Sequence, residues 1–312
     1  MTEPACEEHG MQIDRREFLE CMAWAGTGLV WAVTSGVLSS RTIAHAAETP
    51  AADFTFAQIS DTHIGFKGQA NPDPVATLQE SIARLNALSR PPAFVIHTGD
   101  LTHAQKPGAF DTVTESLKGI RTERVFYAPG ENDVFLDGGK EYLGRFPGVN
   151  GHGWQSFDYK GVHFVGLVNV LTYKAGGIGA LGAEQLEWLE DDVAKLGSST
   201  PIVVFTHVPL WAVYPEWGWA TADAGQALGY LRRFGSVTVL NGHIHQVLQK
   251  IEGNVTFHTA LSTAFPQPAP GSAPSPGPLK IPAEQAHRML GVREVTYMQG
   301  KAPLAVVDTA LG

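Results

Sequence analysis

The chain has 312 residues, 44% of them hydrophobic and 17% charged, which is enough to bury one large α/β domain or two small ones. A formal net charge of −9 argues against non-specific binding to nucleic acid, a polyanion that favours a basic face. It leaves phosphorylated small molecules open as substrates, because bound cations reverse the local field.

Residues 1–46 read as an address. Asp14-Arg15-Arg16-Glu17-Phe18-Leu19 precedes a moderately apolar stretch from Met22 to about Leu38, and Ala44-His45-Ala46 then offers small residues at the spacing a signal peptidase accepts. The Arg pair followed by x-Phe-Leu resembles the twin-arginine export motif. Thr27, Thr34, Ser35 and the glycines at 26, 28 and 36 make the stretch only weakly hydrophobic, as that route expects, and argue against a stable membrane span. The expectation is therefore a cleaved signal, the twin-arginine translocase as the partner during export, and a periplasmic mature protein. An uncleaved anchor and a plain N-terminal helix are the other two readings. Cys6 and Cys21 both fall in this segment, so the mature chain has no thiol, which suits an oxidising compartment. Glu20 and the early position of Cys21 argue against a lipidation site.

After a short linker, Phe54 to Ile59 is a β-rich run ending at Ser60-Asp61. Val75, Leu78, Ile82 and Leu85 recur at helical spacing behind the turn signal Asn71-Pro72-Asp73-Pro74. A short buried strand from Ala93 to Ile96 ends at His97-Thr98-Gly99-Asp100. A helix over Ala109 to Leu117 and a strand over Arg124 to Tyr127 follow, the latter ending at Pro129-Gly130-Glu131-Asn132-Asp133. Ser156 to Tyr159 and Val162 to Val168 read as a hairpin around Lys160-Gly161. Helix Ala183 to Leu196 leads to strand Ile202 to Phe205 and Thr206-His207. Helix Ala222 to Phe234 leads to strand Val237 to Leu240 and Asn241-Gly242-His243-Ile244-His245. The remainder is richer in strands (Gln246 to Glu252, Val255 to Ala260, Arg293 to Met298, Leu304 to Asp308). Pro266 to Pro282 is so dense in Pro, Gly, Ser and Ala that it reads as a loop over the surface, either bordering a site or an inert spacer. The recurring order of strand, polar loop and helix argues an α/β fold, in one domain spanning 47–312.

The polar residues at the strand ends carry the chemistry. In order they are Asp61-x-His63, Gly99-Asp100, Gly130-Glu131-Asn132-Asp133, His207 and His243-x-His245. In open α/β sheets ligands collect at the carboxyl ends of strands, so residues about 180 positions apart can converge. All are oxygen or imidazole donors. That set suits Mn, Fe or Zn, with no thiolate to select a softer ion. A carboxylate between two cations can bridge them, and ions about 3.5–4 Å apart can hold a hydroxide nucleophile and a phosphoryl oxygen together. Each piece alone has an ordinary explanation, a helix cap for an Asp or a structural hydrogen bond for a His. The joint order points to a metal centre.

That order resembles the blocks of the calcineurin-like metallophosphoesterases, D-x-H, G-D, G-N-H-D/E, H and G-H-x-H, over roughly Phe54 to His258. The resemblance implies a two-sheet β-sandwich flanked by helices in four layers. It implies two metal ions, with Asp61, His63 and His245 on one, Asp100 bridging, and His207, His243 and the residue at the family's Asn position on the other. It implies hydrolysis of phosphate mono- or diesters by a metal-bridging hydroxide.

The third block departs from the pattern. Read without a gap, Glu131 takes the Asn ligand position and Asn132 takes the place of the catalytic His. Slid by one, Asn132 becomes the ligand and Asp133 stands where His would be; the first register needs no insertion. An amide does not release a proton near neutral pH. His103, where purple acid phosphatases carry a metal-binding Tyr, and His152 are therefore the other candidates for protonating the leaving group. His97 reads as core, His163 as a strand position, His258 as a possible neighbour of the ligands and His287 as surface. Trp211, Tyr214, Trp217 and Trp219 follow His207 and suit either an apolar leaving group or a packed lid. The alternative to an enzyme is a metal- and phospho-ligand-binding protein that turns over poorly, supported by Asn132.

Overall fold

The computed structural model describes residues 29–34, 37–42, 54–173, 177–299 and 304–312. It divides into two compact units, Met1–Ala51 and Ala52–Gly312. In the first, β1 (Leu29–Thr34) pairs antiparallel with β2 (Val37–Thr42). The Arg15-Arg16 pair and the Ala44-His45-Ala46 site of the expected export signal lie outside the described residues. Among the described residues, no helix is long and apolar enough to cross a membrane.

The second unit runs β3 (Phe54–Ile59), α1 (Pro74–Asn86), β4 (Val95–Thr98), α2 (Ala109–Leu117), β5 (Val125–Ala128), α3 (Lys140–Arg145), β6 (Gln155–Tyr159), β7 (Val162–Gly166), α4 (Ala183–Ala194) and β8 (Ile202–Phe205). It continues with α5 (Ala224–Leu231), β9 (Val237–Asn241), β10 (Gln249–Glu252), β11 (Val255–Thr259), α6 (Ala283–His287), β12 (Gly291–Tyr297) and β13 (Ala305–Ala310). The local chemistry behind these elements is visible at α1. Asp73 accepts a hydrogen bond from the Ala76 amide at 3.1 Å, Pro74 occupies the first turn, and Leu78, Ile82 and Leu85 form the buried face. The expected hairpin is present, with β6 antiparallel to β7. Its two-residue turn places Lys160 (φ 47°) and Gly161 (φ 81°) in the left-handed region, as a type I′ turn requires.

Two sheets form. One is five-stranded in the order β13-β12-β3-β4-β5, the other six-stranded in the order β10-β11-β9-β8-β7-β6. Strands β3, β4 and β5 are parallel, as are β7, β8, β9 and β11. Successive residues face opposite sides of a strand, and the hydrophobic pattern divides accordingly. Phe54 and Phe56 of β3, Phe164 of β7, and Val203 and Phe205 of β8 fill the space between the sheets with Phe94, Ile96 and Phe126. Ala57 and Ile59 face away, toward Leu78, Ile82 and Leu85 of α1 and Phe110, Val113 and Leu117 of α2. Ile202 and Val204 of β8 face Leu186, Leu189 and Val193 of α4 and Ala227, Leu228 and Leu231 of α5. The layers are helix, sheet, sheet, helix, as the resemblance implied. The inter-sheet layer is rich in rings; Phe126 and Phe157 stack at 3.7 Å. Each fully buried Phe contributes roughly 1.5–3 kcal/mol.

The parallel order matters for the site, because it delivers the loops after β3, β4 and β5 to one rim and those after β8 and β9 to the facing rim. Helix α5 is shorter than the sequence pattern suggested, beginning at Ala224 rather than Ala222, because the preceding turn is held by the Asp223 carboxylate, which accepts from the Leu181 and Gly182 amides. Helices α3 and α6 have no apolar period long enough to be read from sequence.

Candidate metal centre

Each loop candidate arrives directly from a strand. Asp61 and His63 follow β3, Asp100 follows β4, Glu131 follows β5, His207 follows β8, and His243 and His245 follow β9. Five of these seven have a left-handed backbone: Asp61 (φ 54°), His63 (φ 40°), Asp100 (φ 52°), His243 (φ 68°) and His245 (φ 58°). That conformation is uncommon for residues with a side chain and costs of order 1–3 kcal/mol each. Such concentrated strain is what a site requires when it turns side chains inward from tight loops.

The glycines of the motifs have a steric reason. A Cβ on Gly130 would lie 2.1 Å from Asp100 Oδ1, and one on Gly242 would lie 2.1 Å from Ser60 Oγ and 2.6 Å from Asp61 Oδ2. Loop backbones approach the carboxylates too closely for any other residue.

The seven side chains close into one buried cage. His245 Nε2 is 3.1 Å from Asp61 Oδ1 and 3.3 Å from His63 Nε2, which is itself 3.3 Å from Asp100 Oδ2. On the other side His207 Nε2 is 2.9 Å from Glu131 Oε2, His243 Nδ1 is 3.2 Å from the same oxygen, and the two imidazoles approach to 3.2 Å. His207 Nε2 lies 3.8 Å from Asp100 Oδ2 and 3.9 Å from Asp61 Oδ1, which joins the halves. Three donor groups are compact enough to hold an ion: Asp61, His63 and His245; Glu131, His207 and His243; and Asp61, Asp100 and His207. Two of the outer nitrogens are committed, as a metal ligand would require. His207 Nδ1 donates to the Thr98 carbonyl at 2.7 Å and His245 Nδ1 to the Phe265 carbonyl at 2.6 Å.

The donor set fits a pair of hard or borderline cations. Glu131 Oε2, His207 Nε2 and His243 Nδ1 converge within 3.2 Å of one another in a dry interior, an arrangement that a cation between them would satisfy. Burial raises Asp61 and Glu131, but the imidazoles around them, His245 foremost for Asp61 and His243 for Glu131, outweigh it and hold both below the usual carboxylate range. Asp100 goes the other way, pushed well up by burial and then by Glu131. Burial lowers His207, yet Asp100 and Glu131 more than offset this and hold its imidazole well above the ordinary range. Cation binding by such a set of imidazoles and carboxylates is coupled to proton release.

The third block occupies the ungapped register. A 3₁₀ turn over Glu131–Asp133 directs Glu131 to His207 and His243. Asn132 turns to Asp100 instead, its backbone amide donating to Oδ1 at 2.9 Å and its side-chain Nδ2 to Oδ2 at 2.8 Å. Its side-chain oxygen accepts from the Ala104 amide at 3.3 Å. Asp133 is fully buried and ties the loops together, accepting from the amides of Leu101, Thr102 and Gly130 and from the Thr102 hydroxyl.

A cleft of about 190 Å³ opens onto the cage. Its walls include His103, Asn132, Tyr173, Trp217, Trp219, Phe265, Gln267 and Pro276 to Pro278, with no Lys or Arg among the described residues there. His103 is half-buried, with Nδ1 3.3 Å from His63 Nδ1; burial and then Lys106 hold its pKa below the ordinary imidazole value. A larger cavity of about 650 Å³ beside Lys67, Asp73 and Lys106 contains none of the seven donors.

Other sequence candidates go elsewhere. His152 stacks on Trp154 at 4.4 Å and pairs with Glu184, so it is not a proton donor to this cleft. His163 lies between Asp158 and Asp192, and His287 meets Glu80. His97 is buried behind the loops, its Nε2 3.2 Å from the Thr62 hydroxyl. The aromatic segment divides. Trp217 and Trp219 pack with Ile244 and reach the cleft, whereas Trp211 packs on Phe257. The Pro-rich loop borders the site rather than spacing it. Gln267 donates to the His243 carbonyl at 2.8 Å, and Pro276 to Pro278 form cleft wall. Tyr173 and Phe265 also line the cleft, and no motif in the sequence marks them.

Comparison with known proteins agrees with this architecture. The profile of the calcineurin-like phosphoesterases matches residues 54–247, and the chain belongs to that family. It is 25% identical over 241 residues to a probable cyclic nucleotide phosphodiesterase of Rhodopseudomonas palustris, covering 70% of this chain and 83% of that one. It is 25% identical over 262 residues to a glycerophosphodiester phosphodiesterase of Enterobacter lignolyticus, covering 80% of this chain and 92% of the relative. The crystal structure of a dimetal phosphatase from Danio rerio superposes with a TM-score of 0.66 at 14% identity, covering 84% of this chain and 97% of the other. The family uses a dinuclear metal centre, and its members support a hydrolase.

Proposed function

We propose that this chain is an exported two-metal phosphoesterase acting on phosphodiesters of small molecules. The observation that supports it most strongly is the convergence of seven oxygen and imidazole donors from five loops into one cage. Asp61, His63 and His245 would hold one ion, and Glu131, His207 and His243 the other, with Asp100 between. When bound, the ions supply activation of water and neutralisation of the charge that develops on the phosphoryl group.

The chain's own residues then have distinct tasks. Asn132 holds both oxygens of Asp100 in place and donates no proton to the reaction. His103, on the cleft wall, is the residue placed to protonate a departing oxygen, or water does so. Among the described residues the cleft wall carries no Lys or Arg, which suits a diester monoanion better than a monoester dianion needing more counter-charge. Trp217, Trp219, Tyr173 and Phe265 suit an apolar alcohol portion. The names of the two bacterial relatives, both phosphodiesterases, support the diester.

A second reading, metal and phospho-ligand binding with little turnover, rests on Asn132 in place of the family's His. Hydrolysis of p-nitrophenyl phosphate and its bis ester by the purified protein, Asp100→Asn and Asn132→His separates the two. Turnover of the bis ester by the wild type, abolished in Asp100→Asn, supports the enzyme. Activity confined to Asn132→His supports the binding protein.

We also propose a periplasmic location reached through the twin-arginine translocase, supported by the order Arg15-Arg16, apolar stretch, Ala44-His45-Ala46. Mature protein recovered from the envelope that begins near Ala47, and its loss in Arg15→Lys/Arg16→Lys, is the expected result. Full-length chain retained in the cytoplasm contradicts it.

A further inference from the structure

A row of buried polar side chains runs from the far edge of the five-stranded sheet to the cage. In register across the sheet, Asp308 of β13 faces Arg293 of β12, which faces Gln58 of β3. Arg293 is 1% exposed although it carries a guanidinium. Its Nε and Nη2 donate to the two oxygens of Asp308 at 2.9 Å each, Nη2 also donates to the Thr259 carbonyl at 2.7 Å, and Nη1 donates to Gln58 Oε1 at 3.1 Å. Gln58 Nε2 donates to Thr98 Oγ1 at 2.9 Å, Thr98 Oγ1 to Ser60 Oγ at 2.7 Å, and Ser60 Oγ to Asp61 Oδ2 at 2.5 Å.

Every hydrogen bond in this row points the same way, and one residue sets the direction. A guanidinium is donor only, so the Gln58 oxygen must face it and the Gln58 NH₂ must face Thr98. Thr98, already accepting, sends its proton to Ser60, and Ser60 sends its own to Asp61. Bonds arranged head to tail reinforce one another in a dry interior. At the far end, the His243 amide is shared between both Asp61 oxygens at 3.2 Å, and Ser60 holds Oδ2 alone at 2.5 Å, while Oδ1 faces His245 Nε2 at 3.1 Å and His207 Nε2 at 3.9 Å.

We infer that Arg293 is a positioning residue for the metal centre. It acts through Gln58, Thr98 and Ser60 to fix which oxygen of Asp61 is presented to a cation. This rests on the reading of Asp61 as a metal ligand. It also gives the C-terminal strands, which lie beyond the family match at 54–247, a function in the site.

The test is Zn²⁺ affinity of the full chain, measured by competition with a colorimetric chelator, together with the melting temperature of the chelated protein. Gln58→Glu keeps the shape and the contact with Arg293 but removes the donor to Thr98; Ser60→Ala removes the last donor. Both should bind Zn²⁺ roughly 10–100-fold more weakly, the usual effect of losing a partner behind a ligand. Thr296→Val, on the same strand pair but at the Thr55 hydroxyl and remote from the row, should leave affinity unchanged. If Gln58→Glu does not fold, Arg293→Lys, which keeps the charge but loses the fork that holds Gln58, carries the test with Ser60→Ala and should weaken binding likewise. Wild-type affinity in folded Ser60→Ala would overturn the inference. So would equal weakening in Thr296→Val, since the effect would then follow general stability. Failure of the wild type to bind Zn²⁺ at all would instead remove the metal-centre reading, and this inference with it.

Discussion

Replacing Asp133 by Asn should cost stability although it changes one atom. The carboxylate accepts four hydrogen bonds, two on each oxygen: Leu101 and Gly130 amides at 3.0 Å on Oδ2, and the Thr102 amide at 2.8 Å and hydroxyl at 3.0 Å on Oδ1. An amide offers one oxygen. With that oxygen toward Leu101 and Gly130, the Thr102 hydroxyl can rotate to accept, but the Thr102 amide faces an NH₂ group. The opposite orientation strands two amides, so the first should prevail. One orphaned buried N–H costs about 1–3 kcal/mol, and the two retained bonds lose their charge assistance, about 1 kcal/mol each. Relief of the buried charge offsets part of this, leaving about 2–4 kcal/mol, or roughly 5–15 °C in Tm for a domain of this size. Calorimetry of the chelated protein isolates the effect from metal binding, with Glu190→Gln on the exposed face of α4 as a control expected within about 0.5 kcal/mol. A melting temperature for Asp133→Asn within about 1 °C of wild type would refute the reasoning.

Gly130→Ala should abolish tight metal binding, because the added Cβ would meet Asp100 Oδ1 at 2.1 Å and its backbone N at 2.3 Å; retention of bound metal after dialysis would contradict this. His103→Ala should slow hydrolysis of alkyl phosphodiesters by about 10²-fold or more while affecting p-nitrophenyl esters little, since only the poor leaving group needs a proton. Equal loss for both, read from a series of leaving groups of graded pKa, would exclude that role. His163 provides a pH test remote from the cage. Burial lowers its pKa, but hydrogen bonds and charge from Asp192 and Asp158 outweigh this and raise it. The folded state therefore binds the proton more tightly, and this contribution is complete below the unfolded value of about 6.5 and disappears as pH rises through the folded value. Urea unfolding of chelated protein from pH 5.5 to 8.5 should show His163→Gln losing that component of the slope.

Much of the site was legible because metal chemistry restricts residue type and the parallel sheet restricts placement. Asp61, His63, Asp100, His207, His243 and His245 were readable as strand-end donors, and all six are in the cage. The third block was not decidable from sequence, because three polar residues in succession can present any of their side chains. Only the 3₁₀ turn over Glu131–Asp133 and the hydrogen bonds of Asn132 to Asp100 show which side chain faces His207 and His243, which holds Asp100 and which ties the loops. His152 had a glycine-flanked loop like those of the cage residues but meets Trp154, a contact with no sequence signature. Tyr173, Phe265 and Gln267 reach the cleft from loops whose composition is unremarkable. The place of β12 beside β3, and with it the row from Asp308 to Asp61, depends on pairing across more than two hundred residues, which periodicity within a strand does not encode.

The central claim is that the cage is a two-ion site. Crystals of the protein loaded with Mn²⁺, with anomalous data collected at the manganese edge, test it most directly. Two peaks per chain about 3.5–4 Å apart, one beside Asp61, His63 and His245, the other beside Glu131, His207 and His243, with Asp100 touching both, are the predicted result. No peak in the cage, or a single peak that persists in Glu131→Gln/His243→Ala at full occupancy with the second half empty in the wild type, would contradict it.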